Sequence, residues 1–149
     1  MSTGPLILGI DLEGINKDLV HKGVDIKTDR VIEIGAVLWD WQLGQPVKIF
    51  SELIDEVDRL PISQEVEDLT GINDNCLEKW GAKGAAIKEI LESLKELMAK
   101  ADYFMAHNGT GYDIPMLRAM FDRHSVEMPE KVWIDTMTDI EYPRQMKGR

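Results

Sequence analysis

The sequence predicts an α/β protein with a five-stranded mixed sheet flanked by helices, and two patterns carry this prediction. Three apolar, β-branched segments follow one another at residues 6–13, 31–39 and 47–54, as in three successive strands. Beyond them, helical periodicity alternates with short apolar segments at 103–106 and 132–134. Strands first, then helices alternating with strands, imply a mixed sheet with helices on its faces.

The first three strands are expected to form an antiparallel meander. Residues 6–13 are almost continuously apolar, which is typical of a buried central strand. Residues 14–30 make a long polar connection, and long ordered loops are often functional. A turn at 43–46 then leads into the third strand.

Three helices are predicted between and after these strands. Residues 64–69 form a short helix, with Ser63 as its N-cap and Gly71 just beyond its end. Apolar residues at three- and four-residue steps predict a helix from about 83 to 100. Residues 114–123 form the last one, with Pro115 in its first turn.

Length and composition indicate one globular domain over residues 1–149. The chain is 44% hydrophobic and 30% charged, with no apolar run long enough to span a bilayer. No secretory signal is visible at the N-terminus, and the single cysteine, Cys76, excludes an internal disulfide. We therefore expect an intracellular, cytoplasmic protein.

The formal net charge of −10 argues against broad electrostatic capture of nucleic acid. It does not exclude nucleic-acid chemistry, because a carboxylate cluster that holds metal ions is itself strongly acidic. Bound cations would invert the local field at such a cluster.

Asp11 and Glu13 are two residues apart at the end of the first predicted strand. Strand alternation puts both side chains on one face and Leu12 on the other. Two adjacent acids there are unfavourable unless a cation binds them, and oxygen ligands suit Mg²⁺ or Mn²⁺. The alternative is that Glu13 simply begins the solvent-exposed connection.

A second polar cluster, residues 107–113, follows the fourth strand and opens a helix. Asp113 in the first helical turn has a simpler explanation, a favourable charge at a helix N-terminus. His107 is equally consistent with a structural histidine. The pair Gly109 and Gly111 imitates a phosphate loop but lacks the Lys-Ser/Thr that such loops require.

Taken together, these motifs resemble the DEDD (DnaQ-like) 3′→5′ exonuclease superfamily. The resemblance runs over residues 6–136 and depends on an ordered set of motifs: Asp11-Leu-Glu13, Val31-Ile-Glu-Ile-Gly-Ala-Val37, Leu69-Thr-Gly-Ile72, His107-Asn108, Tyr112-Asp113 and Ile134-Asp-Thr136. It implies a ribonuclease H-like three-layer fold and two divalent metal ions, Mg²⁺ or Mn²⁺, at the active site.

The resemblance also implies roles for individual residues. Asp11, Glu13 and Asp113 match the catalytic, metal-binding carboxylates. Four further residues match positions that contact substrate or shape the site: Leu12, which we expect to pack rather than react, Gly14, Asn108 and Tyr112. His107 and Asp135 are secondary candidates, and a structural role at the end of the fifth strand is the better interpretation of Asp135.

One departure from the family pattern stands out. The family needs a further Asp on a helix after the fifth strand, preceded by the His or Tyr that serves the proton transfer. Residues 136–149 contain Asp139, Glu141 and Tyr142 but neither pattern. We therefore expect the domain to be incomplete at its C-terminus, without the third motif and the helices around it, through truncation or natural loss.

The expected function is hydrolysis of single-stranded DNA or RNA from a free 3′ end, weak or absent in this chain. The alternative from another class is a catalytically dead nuclease-fold module that binds a protein partner or nucleic acid. Loss of C-terminal helices should bare apolar sheet surface, which predicts a homodimer or a polymerase-type partner.

Overall fold

Three antiparallel strands open the chain in the computed structural model, which describes residues 4–16 and 23–140. They are β1 (Leu6–Ile15), β2 (Arg30–Asp40) and β3 (Gln45–Leu53). Two strands parallel to β1 follow, β4 (Tyr103–Ala106) and β5 (Val132–Asp135), and the sheet order is β3-β2-β1-β4-β5. The predicted meander and the mixed five-stranded sheet are confirmed.

Four helices connect these strands: α1 (Gln64–Thr70), α2 (Asp74–Trp80), α3 (Ala85–Lys100) and α4 (Asp113–Arg123). Ser63 caps α1 by accepting a hydrogen bond from the backbone N–H of Val66, and Gly71 ends the helix with φ +76°. Helix α2 was not predicted from the sequence. Within the described residues, no helix has the length and apolar character needed to cross a membrane.

One face of the sheet carries the main core. Alternate residues of β1, Leu8, Ile10 and Leu12, are almost fully buried against α3 and α4. The same core takes in the apolar side of α3, which the helical periodicity predicts. Strand alternation places the intervening residues of β1, among them Asp11, on the other face.

The opposite face is open in the described part of the chain. A shallow trough of about 530 Å³ crosses it, and its lining runs from Ile49 on β3 through Val37 and Gly9 to Met105 on β4. Ile49 is 68% exposed. The trough is mainly apolar and reaches Asp11 at the end of β1. The expectation that missing helices leave apolar sheet surface bare stays a prediction.

Some sequence-based predictions lie outside the described residues. They concern the middle of the long polar connection, residues 17–22, and the residues after Ile140, which include Glu141 and Tyr142. The expectation that the domain stops before its third motif stays a prediction.

Candidate active site

The strand β1 delivers two carboxylates to one cleft. Asp11 is exposed, Glu13 is half-buried, and both lie on the open face of the sheet, as strand alternation predicts. Leu12 between them is 3% exposed and belongs to the core on the other side. Its side chain therefore packs, and it does not line the cleft that Asp11 and Glu13 share.

The third carboxylate, that of Asp113, belongs to a distant part of the sequence. Asp113 begins α4, is 4% exposed, and its Oδ2 accepts a hydrogen bond of 3.2 Å from the backbone N–H of Leu12. The two residues are 101 positions apart. Asp113 thus lies against the backbone segment that separates Asp11 from Glu13.

All three acids line one cleft of about 350 Å³. The cleft lies where β1 and β4 end and α4 begins, and helix α1 borders it. Its remaining lining residues are Gly14, Asn16, Val66, Leu69, Thr70, His107, Asn108 and Tyr112. Every residue that the resemblance assigned to the site lines this cleft except Leu12 and Asp135.

Burial and like charges disturb the ionisation of two of these acids. Burial raises the pKa of Glu13, and the neighbouring carboxylates of Asp11 and Glu33 raise it further. Glu33 pairs directly with Glu13 across β1 and β2. For Asp113, burial and the charge of Asp11 outweigh the hydrogen bond from Leu12 and raise the pKa to about 6.

The donor set fits a hard divalent cation. Carboxylate oxygens are the ligands such ions prefer, and a cation would relieve the repulsion that raises these pKa values. The side chains are, however, too widely spaced to coordinate one ion as they stand. Within residues 4–16 and 23–140, no three His, Cys, Asp or Glu side chains lie close enough to hold one ion. Asp11, Glu13 and Asp113, which line one cleft, are the residues that would hold it.

A tight loop between β4 and α4 shapes one wall of the cleft. Asn108 adopts the left-handed conformation with φ +56°, which Asn tolerates better than most residues. Its carbonyl accepts a 3.0 Å hydrogen bond from the N–H of Tyr112, and its side chain fills the space beside Gly111. A Cβ on Gly111 would lie 2.7 Å from Asn108 Oδ1, so a larger residue there would force the Asn108 side chain to shift.

Asp135 stabilises that loop through hydrogen bonds to its backbone. Its carboxylate is buried and accepts backbone N–H groups of Asn108 at 2.8 Å and Met137 at 3.0 Å, and more distantly of Thr110. Burial works to raise its pKa, but these hydrogen bonds and the charge of His107 outweigh it, so the pKa is lowered. This geometry supports the structural interpretation of Asp135.

His107 stands at the mouth of the cleft, at the end of β4. The ring is exposed, and its Nδ1 lies 3.0 Å from the hydroxyl oxygen of Thr136. It lines both the carboxylate cleft and the apolar trough, and so marks the point where the two meet.

Gly14 lets Tyr112 reach the end of β1. A Cβ at Gly14 would collide with the Tyr112 hydroxyl and lie 2.8 Å from Met116 Cε. The bulge between Glu13 and Gly14 bends the strand at this point. Burial, followed by the charges of Glu13 and Asp113, raises the pKa of Tyr112, so its hydroxyl keeps its proton at neutral pH.

Sequence reasoning missed two contributions to the cleft. Val66, Leu69 and Thr70 of α1 form its outer wall, and Leu69 is 76% exposed there. The motif that includes Leu69 and Thr70 was the available signal, although nothing in it places α1 beside β1. Asn16 also lines the cleft, and only its contacts in three dimensions reveal this.

A protein family and a known protein are similar to this chain in sequence. A family model described as exonuclease, RNase_T, matches residues 8–147. A PolC-type DNA polymerase III from Latilactobacillus sakei is 29% identical over 120 residues, which is 80% of this chain and 8% of that protein.

Solved structures of E. coli exonuclease I share the fold. The complex with a dA16 oligonucleotide superposes with a TM-score of 0.70 at 16% identity, over 89% of this chain and 28% of that one. A zinc-bound complex with single-stranded DNA gives the same values. The chain spans less than a third of exonuclease I and under a tenth of the polymerase. Because the family model covers nearly its whole length, the chain belongs to the RNase_T exonuclease family.

Proposed function

We propose that this domain is a 3′→5′ exonuclease that removes nucleotides from single-stranded DNA or RNA with the help of two divalent cations, Mg²⁺ or Mn²⁺. One observation carries the proposal. Asp11, Glu13 and Asp113 come from β1 and α4 and line a single cleft, where burial and neighbouring negative charges raise the pKa values of Glu13 and Asp113 and favour binding of a cation. The solved oligonucleotide complexes of exonuclease I, which has the same fold, support a single-stranded substrate.

The chain's own residues suggest how the substrate is held. Asp11, Glu13 and Asp113 would hold the cations, whose chemistry is to polarise the phosphate and lower the pKa of a bound water. Leu69, which is 76% exposed, offers an apolar surface to a terminal base, because unstacked bases bind to apolar and aromatic surfaces. The loop at Asn108 is held by Asp135 and keeps Asp113 in place at the head of α4.

A direct test uses oligonucleotides labelled at either end. Degradation from the 3′ end releases the 3′ label first as a mononucleotide and leaves a ladder of 5′-labelled products. In Mn²⁺ we expect this pattern at a slow rate at most, because the chain lacks the third motif. Asp11→Asn should abolish any such release, while Asp122→Asn, an exposed acid on α4, preserves it. No Asp11-dependent release at any Mn²⁺ concentration would reject catalysis by this chain.

A second candidate is a nuclease fold without catalysis that binds a partner. The observation in its favour is the carboxylate spacing, which brings no three candidate ligands together in the described residues. Calorimetry separates the two. Mn²⁺ binding that Asp11→Asn removes supports the exonuclease, and a chain that binds no divalent cation supports the partner-binding module.

The open apolar trough is the surface on which a homodimer or a polymerase-type partner would sit. Sedimentation of the purified chain tests the homodimer. A charge at the centre of the trough, as in Val37→Asp, should dissociate a dimer formed there, whereas a monomeric wild-type chain removes this possibility.

A further inference from the structure

Asn16 connects three segments that meet at the cleft. It follows β1, and its Nδ2 donates a 3.0 Å hydrogen bond to Asp29 Oδ2. Asp29 is 2% exposed and lies just before β2, at the far end of the long polar connection. On its other side, Asn16 Oδ1 accepts a hydrogen bond of 3.4 Å from the hydroxyl of Tyr112.

The chemistry of Asp29 determines which way the Asn16 amide faces. Asp29 Oδ2 also accepts the backbone N–H of Asp25 at 2.8 Å, so this oxygen acts as an acceptor. Asn16 must therefore turn its NH₂ group toward Asp29. Its carbonyl oxygen is left facing Tyr112, and the phenol donates its proton to it.

Tyr112 lines the same cleft as Glu13 and Asp113, whose carboxylates can accept a hydrogen bond. Its hydroxyl lies against Gly14, one residue beyond Glu13, and Asp113 follows Tyr112 directly. Both carboxylates act on it electrostatically. A phenol has a single proton to donate, so a hydrogen bond to Asn16 is a hydrogen bond not made to Glu13 or Asp113.

We propose that Asn16 is a positioning residue. By accepting a hydrogen bond from the hydroxyl of Tyr112, it keeps that hydroxyl from donating to Glu13 or Asp113. The oxygens of these two carboxylates are then available to a divalent cation. The inference rests on the proposed function, because it assumes that these carboxylates bind the cation. Groups that orient metal ligands from outside typically change metal affinity when removed.

Mn²⁺ binding measured by calorimetry tests this directly. Asn16→Ala should weaken binding roughly fivefold, because the freed hydroxyl turns to a carboxylate and must be displaced. Tyr112→Phe should bind Mn²⁺ at least as well as the wild type. The decisive variant is N16A/Y112F, which should recover the affinity of Tyr112→Phe, since the competing hydroxyl is gone.

A purely structural role for Asn16 predicts the reverse, with losses in the double variant at least as large as in Asn16→Ala. Asn73→Ala is the matched control. Asn73 caps α2 by accepting the N–H of Cys76 and does not line the cleft, so its loss lowers stability and should leave Mn²⁺ affinity unchanged. Asn16→Leu, similar in shape and without an acceptor, replaces Asn16→Ala if that variant does not fold.

The outcomes separate the two proposals. Unchanged Mn²⁺ affinity in Asn16→Ala and Asn16→Leu, or a double variant as weak as Asn16→Ala, overturns the role of Asn16 and leaves the exonuclease proposal standing. A wild-type chain that binds no Mn²⁺ overturns the metal site and this inference together.

Discussion

Replacing Asp113 by asparagine should make the metal-free protein more stable at neutral pH. The isosteric side chain can still accept the hydrogen bond from Leu12, but it removes a buried charge. The pKa of Asp113 rises from 3.8 to about 6, and each tenfold gain in proton affinity corresponds to about 1.4 kcal/mol. The upper limit is therefore roughly 3 kcal/mol, and solvent screening reduces the expected gain to about 1–2 kcal/mol.

The direction in which stability changes with pH follows from proton binding. The folded protein holds the Asp113 proton more tightly than the unfolded chain, so the stabilising effect of that proton is complete below pH 3.8 and is lost as the pH rises through about 6. Wild type and Asp113→Asn should therefore be equally stable near pH 3.8, the acid end of this pH window. Above about pH 6, its upper end, the variant should be more stable than the wild type.

Urea unfolding in the presence of EDTA, measured on both sides of this window, provides the assay. Asp122→Asn is the control, because Asp122 lies on the same helix and is exposed, so its effect should not vary across the window. Equal stabilities for wild type and Asp113→Asn above pH 7 would refute the reasoning about burial and repulsion. Saturating Mn²⁺ should then stabilise the wild type by more than the variant.

Three further changes test other parts of the structure. Gly14→Ala should destabilise the fold by about 1–3 kcal/mol in urea through overpacking, whereas Gly9→Ala, whose Cβ would meet only a carbonyl oxygen at 3.9 Å, should not. Glu56→Ala should cost roughly 3–5 kcal/mol, since its buried carboxylate pairs with Arg123 at 2.8 Å; a loss below about 1 kcal/mol would contradict this. Asp135→Ala should slow nucleotide release by loosening the adjacent loop, and an unchanged rate would argue against that loop's role.

Most strands and helices could be predicted because alternation and helical periodicity depend only on residues close together in the sequence. Alternation along β1 correctly placed Asp11 and Glu13 on one face and Leu12 on the other, since side chains alternate in any strand. Helix α2 escaped prediction because only Leu77 is buried in its seven residues, so no apolar period was visible. Its N-cap, Asn73, was the remaining signal.

The sequence by itself determined the strands, the longer helices and the kinds of residue that bind a cation, because alternation, periodicity and ligand chemistry depend on near neighbours alone. Only the tertiary structure decided that Asp113 lies against Leu12 and that Asn16 lies between Asp29 and Tyr112. These features join segments far apart in the chain. Burial and charge there depend on how the sheet and helices pack, which no local pattern encodes.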